Sequence, residues 1–244
     1  MSLTLQQLID QSHRIVFFGG AGVSTESGIP DFRSADGLYT VGGPIPPEVI
    51  LSRSFAETHP EEFFAFYRQS VLYPQAKPNA AHLKLAELER AGRLTAVVTQ
   101  NIDGLHQAGG SVNVIELHGS VHRNHCRACG RAYPMAAVYE AEGVPRCTCG
   151  GQIEPSVVLY EDPLDQSVIQ AAVGAIADAD MLIIGGTSLV VYPAAGLVDY
   201  FRGEHLAVIN KSGAGPVRGA LGLDPLVITE PIGQVLAAVT VPAD

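Results

Sequence analysis

The sequence contains no tryptophan, and cysteine occurs at only four of its 244 positions. Charged residues make up only 16% of the chain, and acidic residues outnumber basic ones, giving a net charge of −10. A protein that binds nucleic acid neutralises phosphates with lysine and arginine, so this balance disfavours a DNA or RNA partner. It is compatible with a basic partner, such as a lysine-bearing protein segment.

Long apolar runs are also missing. No window reaches the roughly 18 uninterrupted apolar residues of a membrane-spanning helix. The segment MSLTLQQLID lacks the basic start and apolar stretch of a secretory signal, so we expect a soluble cytoplasmic protein without membrane attachment. Hydrophobic residues account for 47% of the chain, which is typical of a globular core, and the length suits one large α/β domain or a domain with a small insert.

Short apolar runs alternate with helical segments along the chain. Strands are expected at 14–18, 94–99, 112–117, 181–184, 206–209 and 227–228. Helices are expected from Thr4, from His59-Pro60, from Pro78 (with Leu83, Leu85, Ala86 and Leu88 in the core), over 165–177, over 193–202 and from Pro231. This alternation predicts a parallel sheet that is covered by helices on both faces.

Polar and glycine residues collect directly after five of the predicted strands. These residues are Gly19–Thr25, Gln100–Asp103, His118-Gly119, Gly185–Ser188 and Asn210-Lys211. Ligands of parallel sheets bind beyond the carboxyl ends of the strands, so we expect the five segments to converge on one site.

The first of these segments continues into a glycine-rich loop, GGAGVSTESGIPDFR, over residues 19–33. Glycine lets backbone N–H groups approach a phosphate closely, so the loop predicts a nucleotide nearby. Gly20 and Gly22 supply a G-x-G pattern, but five residues separate Gly22 from Gly28, where the dehydrogenase fingerprint has two. The spacing therefore argues against a hydride-transferring dehydrogenase, and a purely structural glycine turn is the alternative.

The four cysteines form two close pairs, C-x2-C and C-x-C, with seventeen residues between them: Cys126, Cys129, Cys147 and Cys149. Four thiolates complete a tetrahedral zinc with no open position, which is typical of a structural site. Two disulfides are the alternative, and they are disfavoured because thiols in the cytosol stay reduced. His122 and His125 lie close in sequence and could ligate, but with four cysteines available we expect them at the surface or next to the ligands.

Six features in this order closely resemble the sirtuins, the NAD-dependent protein lysine deacylases: GAGVSTESGIPDFR, TQNIDGLHQAGG, ELHGS, the four cysteines, GTSLVVYPAAG and VIN. The resemblance extends from about residue 12 to about residue 236. It implies an α/β fold, in which a Rossmann-like parallel sheet domain carries an inserted small domain with zinc-binding and helical parts. The large domain would comprise 1–36, 78–120 and 156–244, the helical insert 37–77 and the zinc-binding module 121–155.

The resemblance also implies an activity. NAD would be a co-substrate and zinc a structural ion, and the partners would be acyl-lysine proteins or peptides. The enzyme would cleave nicotinamide from NAD and transfer the acyl group, most simply acetyl, from lysine to ADP-ribose. A sirtuin-fold protein ADP-ribosyltransferase and a non-catalytic NAD-binding or zinc-ribbon adaptor are the alternatives.

The resemblance assigns roles to individual residues. His118 would be the base for a ribose hydroxyl, and an ordinary histidine pKa of about 6.5 suits that role. Asn101 would hold the ribose and a water, and Asp103 would line the pocket for the nicotinamide carboxamide. The candidate NAD-binding residues are Gly20, Ala21, Gly22, Thr25, Asp31, Phe32, Arg33, Gln100, Asn101, Ile102, Asp103, His118, Gly186, Thr187, Ser188 and Asn210.

Val157, Val158, Leu159 and Tyr160 resemble the strand edge that pairs with the backbone of the substrate, and a core strand is the alternative. The chain departs from the family pattern in three places. The second cysteine pair is one residue short, Tyr160-Glu161-Asp162-Pro163 stands where the family has a Gly-Glu pair, and 211–219 lacks a Thr-Pro-type continuation.

Overall fold

The computed structural model describes residues 3–32, 34, 37–39, 44–213 and 222–241, which form two sheets of unequal size. The strands of the larger sheet are β1 (Ile15–Gly19), β2 (Leu94–Thr99), β3 (Val114–Glu116), β7 (Met181–Gly185), β8 (His205–Ile209) and β9 (Leu226–Ile228). They are all parallel, in the order β3-β2-β1-β7-β8-β9. The smaller sheet is antiparallel, in the order β5-β4-β6, and its strands are β4 (Gly119–Cys126), β5 (Ala132–Tyr133) and β6 (Ile153–Val157).

Helices connect and cover these strands. The α-helices are α1 (Leu5–Gln11), α2 (Pro47–Ile50), α3 (Arg53–Thr58), α4 (Pro60–Ser70), α5 (Ala80–Arg90), α6 (Leu105–Ala108), α7 (Ala136–Tyr139), α8 (Gln166–Asp178) and α9 (Ile232–Ala237). Short 3-10 helices occur at Ala21–Val23, Thr25–Ser27 and Ala194–Tyr200. Within the described ranges, no helix has both the length and the apolar character needed to cross a membrane.

One of the expected helices, α5, differs in two ways from the sequence-based prediction. α5 begins at Ala80 rather than at Pro78, because the side chain of Asn79 caps it by accepting the N–H of Ala81. Leu83 was expected in the core, but 52% of it is exposed, so that prediction is wrong. The helical repeat turns Ala81, Leu85 and Leu88 inward and leaves Leu83 on the outer face.

The larger sheet is buried on both faces, as the continuous apolar strands predict. Val16 and Phe18 point from β1 into a cluster that includes Ile176 of α8. Phe17, between them in sequence, points the other way into a cluster that includes Leu85 of α5 and Leu236 of α9. This two-sided packing fixes the positions of the strand ends, where the predicted site residues lie.

A third cluster joins the helical segment to the smaller sheet. Phe63 and Tyr67 of α4 pack with Val121 of β4 and Ile153 of β6, so these parts form one apolar body. One of the passages between the larger sheet and this body is very short, since only Leu117 and His118 lie between the end of β3 at Glu116 and the start of β4 at Gly119.

Candidate active site

A cavity of about 650 Å³ lies at the carboxyl ends of the parallel strands, facing the smaller sheet. Each of the five strand-end segments that were expected to converge lines it, with Gly20, Gln100, His118, Gly186 and Lys211 among the lining residues. The prediction of one shared site is therefore confirmed. The position follows from the parallel sheet, whose strand ends all meet at one edge.

The glycines of the first loop serve close backbone packing. The N–H groups of Gly20 and Gly22 donate to the carbonyls of Gly185 and Gly186, at 3.1 and 2.8 Å. A Cβ on Gly22 would lie 2.8 Å from the Cα of Gly186, and Gly186 itself has a positive φ of 58°. These glycines therefore let the loops after β1 and β7 touch, and together the two loops line the cavity.

His118 lies at the junction of the two sheets, and its ring is fixed by the neighbouring strand end. Its Nδ1 lies 2.9 Å from the carbonyl oxygen of Gln100, which can only accept a hydrogen bond. Nδ1 is therefore the protonated nitrogen, and Nε2 keeps a lone pair. Burial lowers the pKa of His118, with partial opposition from the Gln100 carbonyl, so the imidazole is neutral at pH 7 and able to accept a proton.

Asn101 and Asp103 are connected by a serine that the sequence-based site omitted. The Nδ2 of Asn101 donates to Ser24 Oγ at 3.0 Å, and Ser24 Oγ donates to Asp103 Oδ2 at 2.6 Å. Ser24 is buried and lines the cavity. The sequence did contain a signal, since Ser24 lies in one of the five strand-end segments, but its partners lie more than 70 residues away.

The remaining NAD-binding candidates divide into two groups. Residues that line the cavity are Gly20, Ala21, Gly22, Asp31, Phe32, Gln100, Ile102, Gly186, Thr187 and Ser188. Thr25 and Asn210 are not among the lining residues, and both stabilise loops instead. The Thr25 hydroxyl donates to the Gly22 carbonyl, and Asn210 Nδ2 donates to the Thr187 carbonyl. Lys211 and Ser212 line the cavity next to Asn210. Arg33 lies outside the described residues.

The segment Val157–Tyr160, which we call the substrate-edge segment, lines the cavity, and three of its N–H groups already have partners. Those of Val158 and Tyr160 donate to the carbonyls of His118 and Leu51, and that of Leu159 donates to the Asp162 carboxylate. An added strand would therefore find the donors of the last three residues occupied. Glu161, in the stretch that stands where the family has a Gly-Glu pair, has a φ of 79°, a conformation that favours glycine.

The start of α3 contacts the residues after this segment. Arg53 binds Asp162 with two hydrogen bonds, Nε to Oδ1 at 2.9 Å and Nη2 to Oδ2 at 2.8 Å, and Ser54 binds the Glu161 carboxylate through its N–H and hydroxyl. Burial opposes ionisation of Asp162, but the pair with Arg53 and the N–H of Leu159 outweigh it and lower the pKa of Asp162.

The four cysteines lie together at one end of the smaller sheet. Their sulfur atoms all lie within 4.8 Å of one another, with 3.5 Å between Cys126 and Cys149 and 3.6 Å between Cys129 and Cys147. Zinc–sulfur bonds of about 2.3 Å in a tetrahedron separate the sulfurs by roughly 3.8 Å, so the cluster fits a zinc ion. The short C-x-C pair does not prevent this arrangement.

The two neighbouring histidines are not part of the cluster. His125 contacts Ser156 and Glu154, and His122 contacts the carbonyl of Asp103. All four ligands that fit the metal are therefore sulfur atoms, the set typical of a closed structural zinc site.

The fold and the cavity define a nucleotide-binding α/β protein with a zinc-binding module. The sequence model of the Sir2 family matches residues 20–193, and the chain belongs to this family.

Named relatives match over nearly the whole chain. A Cutibacterium acnes protein and a Clostridium perfringens protein, each named NAD-dependent protein deacetylase, are 56% identical over 237 residues and 57% identical over 239 residues. Both alignments cover 96% of this chain and 96% of the relative.

Solved structures of Sir2 proteins also match. A complex titled Sir2–p53 peptide–NAD+ has a TM-score of 0.80 and 38% identity, covering 94% of this chain and 92% of the other. A Sir2 homologue S24A mutant–ADP ribose complex has a TM-score of 0.85 and 33% identity, covering 97% and 94%.

Proposed function

We propose that this chain is an NAD-dependent protein lysine deacetylase that cleaves nicotinamide from NAD and transfers the acyl group of acyl-lysine to ADP-ribose. The observation that carries the proposal is the imidazole of His118, which lines the strand-end cavity, is oriented by the Gln100 carbonyl through Nδ1 and is kept neutral by burial. A general base needs this protonation state and this orientation.

NAD supplies an activated glycosidic bond, whose cleavage releases nicotinamide. His118 takes a proton at Nε2 from a ribose hydroxyl. Asn101 orients the ribose and a water, and Ser24 fixes its amide, because Ser24 Oγ accepts from Asn101 and donates to Asp103. Asp103 and Ile102 line the place for the carboxamide, and Phe32, which also lines the cavity, excludes water from the reacting atoms.

The other assignments follow from the same proposal. Acyl-lysine proteins or peptides bind beside the substrate-edge segment. The four cysteines hold a structural zinc that fixes β4, β5 and β6. The division into a large domain (1–36, 78–120 and 156–244), a helical insert (37–77) and a zinc-binding module (121–155) is proposed in the same form. We also propose a cytoplasmic location, where the cluster's thiols stay reduced.

The test incubates the protein with NAD and an acetyl-lysine peptide and measures O-acetyl-ADP-ribose and deacetylated peptide by mass spectrometry. We expect both products in equal amounts, and near-total loss of both in His118→Ala. Nicotinamide release with ADP-ribose attached to protein, and no deacetylated peptide, would favour the ADP-ribosyltransferase. NAD binding without either product would favour the adaptor. Parent-level activity of His118→Ala would remove His118 from the mechanism.

A further inference from the structure

His122 is a histidine of the zinc-binding module that is turned away from the zinc cluster. It lies on β4, and its Nε2 is 2.9 Å from the carbonyl oxygen of Asp103. A carbonyl oxygen only accepts, so the imidazole donates this bond from Nε2. The ring also lines the cavity, together with Ile102, Asp103 and Gly104.

The loop that His122 contacts is the one that carries the nicotinamide-side residues of the proposed function. Its side chains are connected to the first loop through Ser24, whereas its backbone is connected to β4. Val121 N–H donates to the Ile102 carbonyl at 3.0 Å, and His122 binds the next carbonyl along. Two adjacent carbonyls of the loop therefore have donors from the zinc-binding module.

Gly104 provides a second, independent observation of the close contact between His122 and the loop. A Cβ on Gly104 would lie 2.6 Å from Cδ2 and 2.8 Å from Nε2 of His122, so the ring packs directly over the glycine backbone. Gly104 also has a φ of 72°, in the region that favours glycine. The loop and the ring fit one another only because this position has no side chain.

We propose that His122 is a positioning residue for the reaction, which sets the Asp103 carbonyl and with it the nicotinamide-binding part of the loop. This inference rests on the proposed function and adds to it a dependence of the nicotinamide site on the zinc-binding module. His122 does not take part in proton transfer. His122 strengthens the binding of NAD and of released nicotinamide, and it does not affect the binding of the acyl-lysine peptide.

The test measures the KM for NAD, the inhibition constant of nicotinamide and the KM for an acetyl-lysine peptide in His122→Ala and His122→Gln. Loss of one hydrogen bond predicts about a 2- to 10-fold rise in the first two constants for His122→Ala, with the peptide KM unchanged. His122→Gln, which can donate from its amide, is expected to recover most of the difference. Gln107→Ala, at an exposed position shortly after the same loop, is the control and is expected to match the parent.

Gly104→Ala provides a second measurement through a double-mutant cycle. The added methyl collides with the imidazole, so the change is expected to raise the KM for NAD more in the parent than in His122→Ala. Unchanged NAD and nicotinamide constants in His122→Ala would overturn the proposal. So would an equal rise in the peptide KM, because that would indicate general loosening of the cleft. If the parent protein showed no NAD-dependent deacetylation, the proposed function would be refuted instead. Failure of the His122 proposal and failure of the proposed function can therefore be told apart.

Discussion

At the residue scale, two buried histidines beside the site have surroundings that favour the neutral imidazole. His82 and His106 contact each other edge to face, with ring centroids 4.7 Å apart, and neither ring nitrogen of His106 has a hydrogen-bond partner among the described residues. Burial, followed by the neighbouring His82, lowers the pKa of His106 to about 3. Burial lowers the pKa of His82 to about 4, against partial opposition from Asp103.

These low pKa values predict a loss of stability in acid. In the unfolded chain both histidines titrate near 6.5, so the folded state is fully stable above about pH 6.5 and loses stability as the pH falls toward the folded values of about 4 and about 3. For His106 alone the loss at pH 5 is about 2 kcal/mol, or about 4–8 °C in Tm. His106→Leu should therefore lose less Tm than the parent between pH 8 and pH 5.

Thermal unfolding followed by circular dichroism at the two pH values measures this difference. His13→Gln, which changes an exposed histidine, is the control and should behave like the parent. An equal fall in Tm for the parent and His106→Leu would show that His106 is not the titrating group.

The contrast between Asp103 and Ser24 shows how far the sequence could predict the site. Asp103 follows a strand within a recognisable motif, so strand-end position and resemblance both pointed to it. Ser24 also follows a strand, but its importance depends on two hydrogen bonds to the loop after β2, across 77 and 79 residues of sequence. Thr25 is the opposite case: the motif predicted that it contacts NAD, but its hydroxyl donates to the Gly22 carbonyl within its own loop. Motifs locate segments, but hydrogen-bond partners depend on tertiary distances.

At the element scale, the start of α3 acts as a support for the substrate-edge segment. The Arg53 N–H donates to the Tyr160 carbonyl, and the Tyr160 N–H donates to the Leu51 carbonyl. The bidentate pair between Arg53 and Asp162 adds a charged connection that is partly shielded from water. The resemblance pointed to this segment, but not to Leu51 as the partner of the Tyr160 N–H.

Removal of this connection is expected to affect the peptide more than the nucleotide. Arg53→Met leaves the Asp162 carboxylate without its guanidinium partner, so the segment shifts and the KM for an acetyl-lysine peptide should rise about 3- to 10-fold. The KM for NAD should stay close to the parent value in the same steady-state assays.

Arg127→Met is the matched control, because Arg127 binds Glu57 and Glu154 near the surface, with contacts of 3.3 and 3.5 Å. A parent-like peptide KM in Arg53→Met would mean that the backbone bonds alone maintain the segment.

At the scale of the whole molecule, the zinc cluster stabilises the body that faces the larger sheet. β4 carries Cys126 at one end and begins directly after His118 at the other, so one strand connects a proposed zinc ligand to the proposed base. The four-cysteine spacing predicted the ion, and the parallel pattern predicted the larger sheet. The way α4 and the smaller sheet share one apolar cluster depends on packing between distant segments, which periodicity does not reveal.

Loss of one ligand is expected to remove both the metal and the activity. Cys147→Ser should reduce bound zinc from one ion per chain to nearly none, because serine is a poor zinc ligand at neutral pH, and deacetylation should fall to background. Atomic emission spectroscopy on the dialysed protein measures the zinc, and Thr148→Ala, at an exposed neighbouring position, is the control. A metal-free variant with full activity would show that the ion is dispensable for the site.

The two-residue passage from β3 to β4 has a consequence for inhibition. Leu117 and His118 are the whole link between these two strands, so a change in the angle between the two sheets acts directly on His118. A compound that binds between the two sheets and separates them would therefore break the hydrogen bond from His118 to the Gln100 carbonyl that orients the imidazole. Such a compound would inhibit deacetylation without resembling either the dinucleotide or the modified lysine.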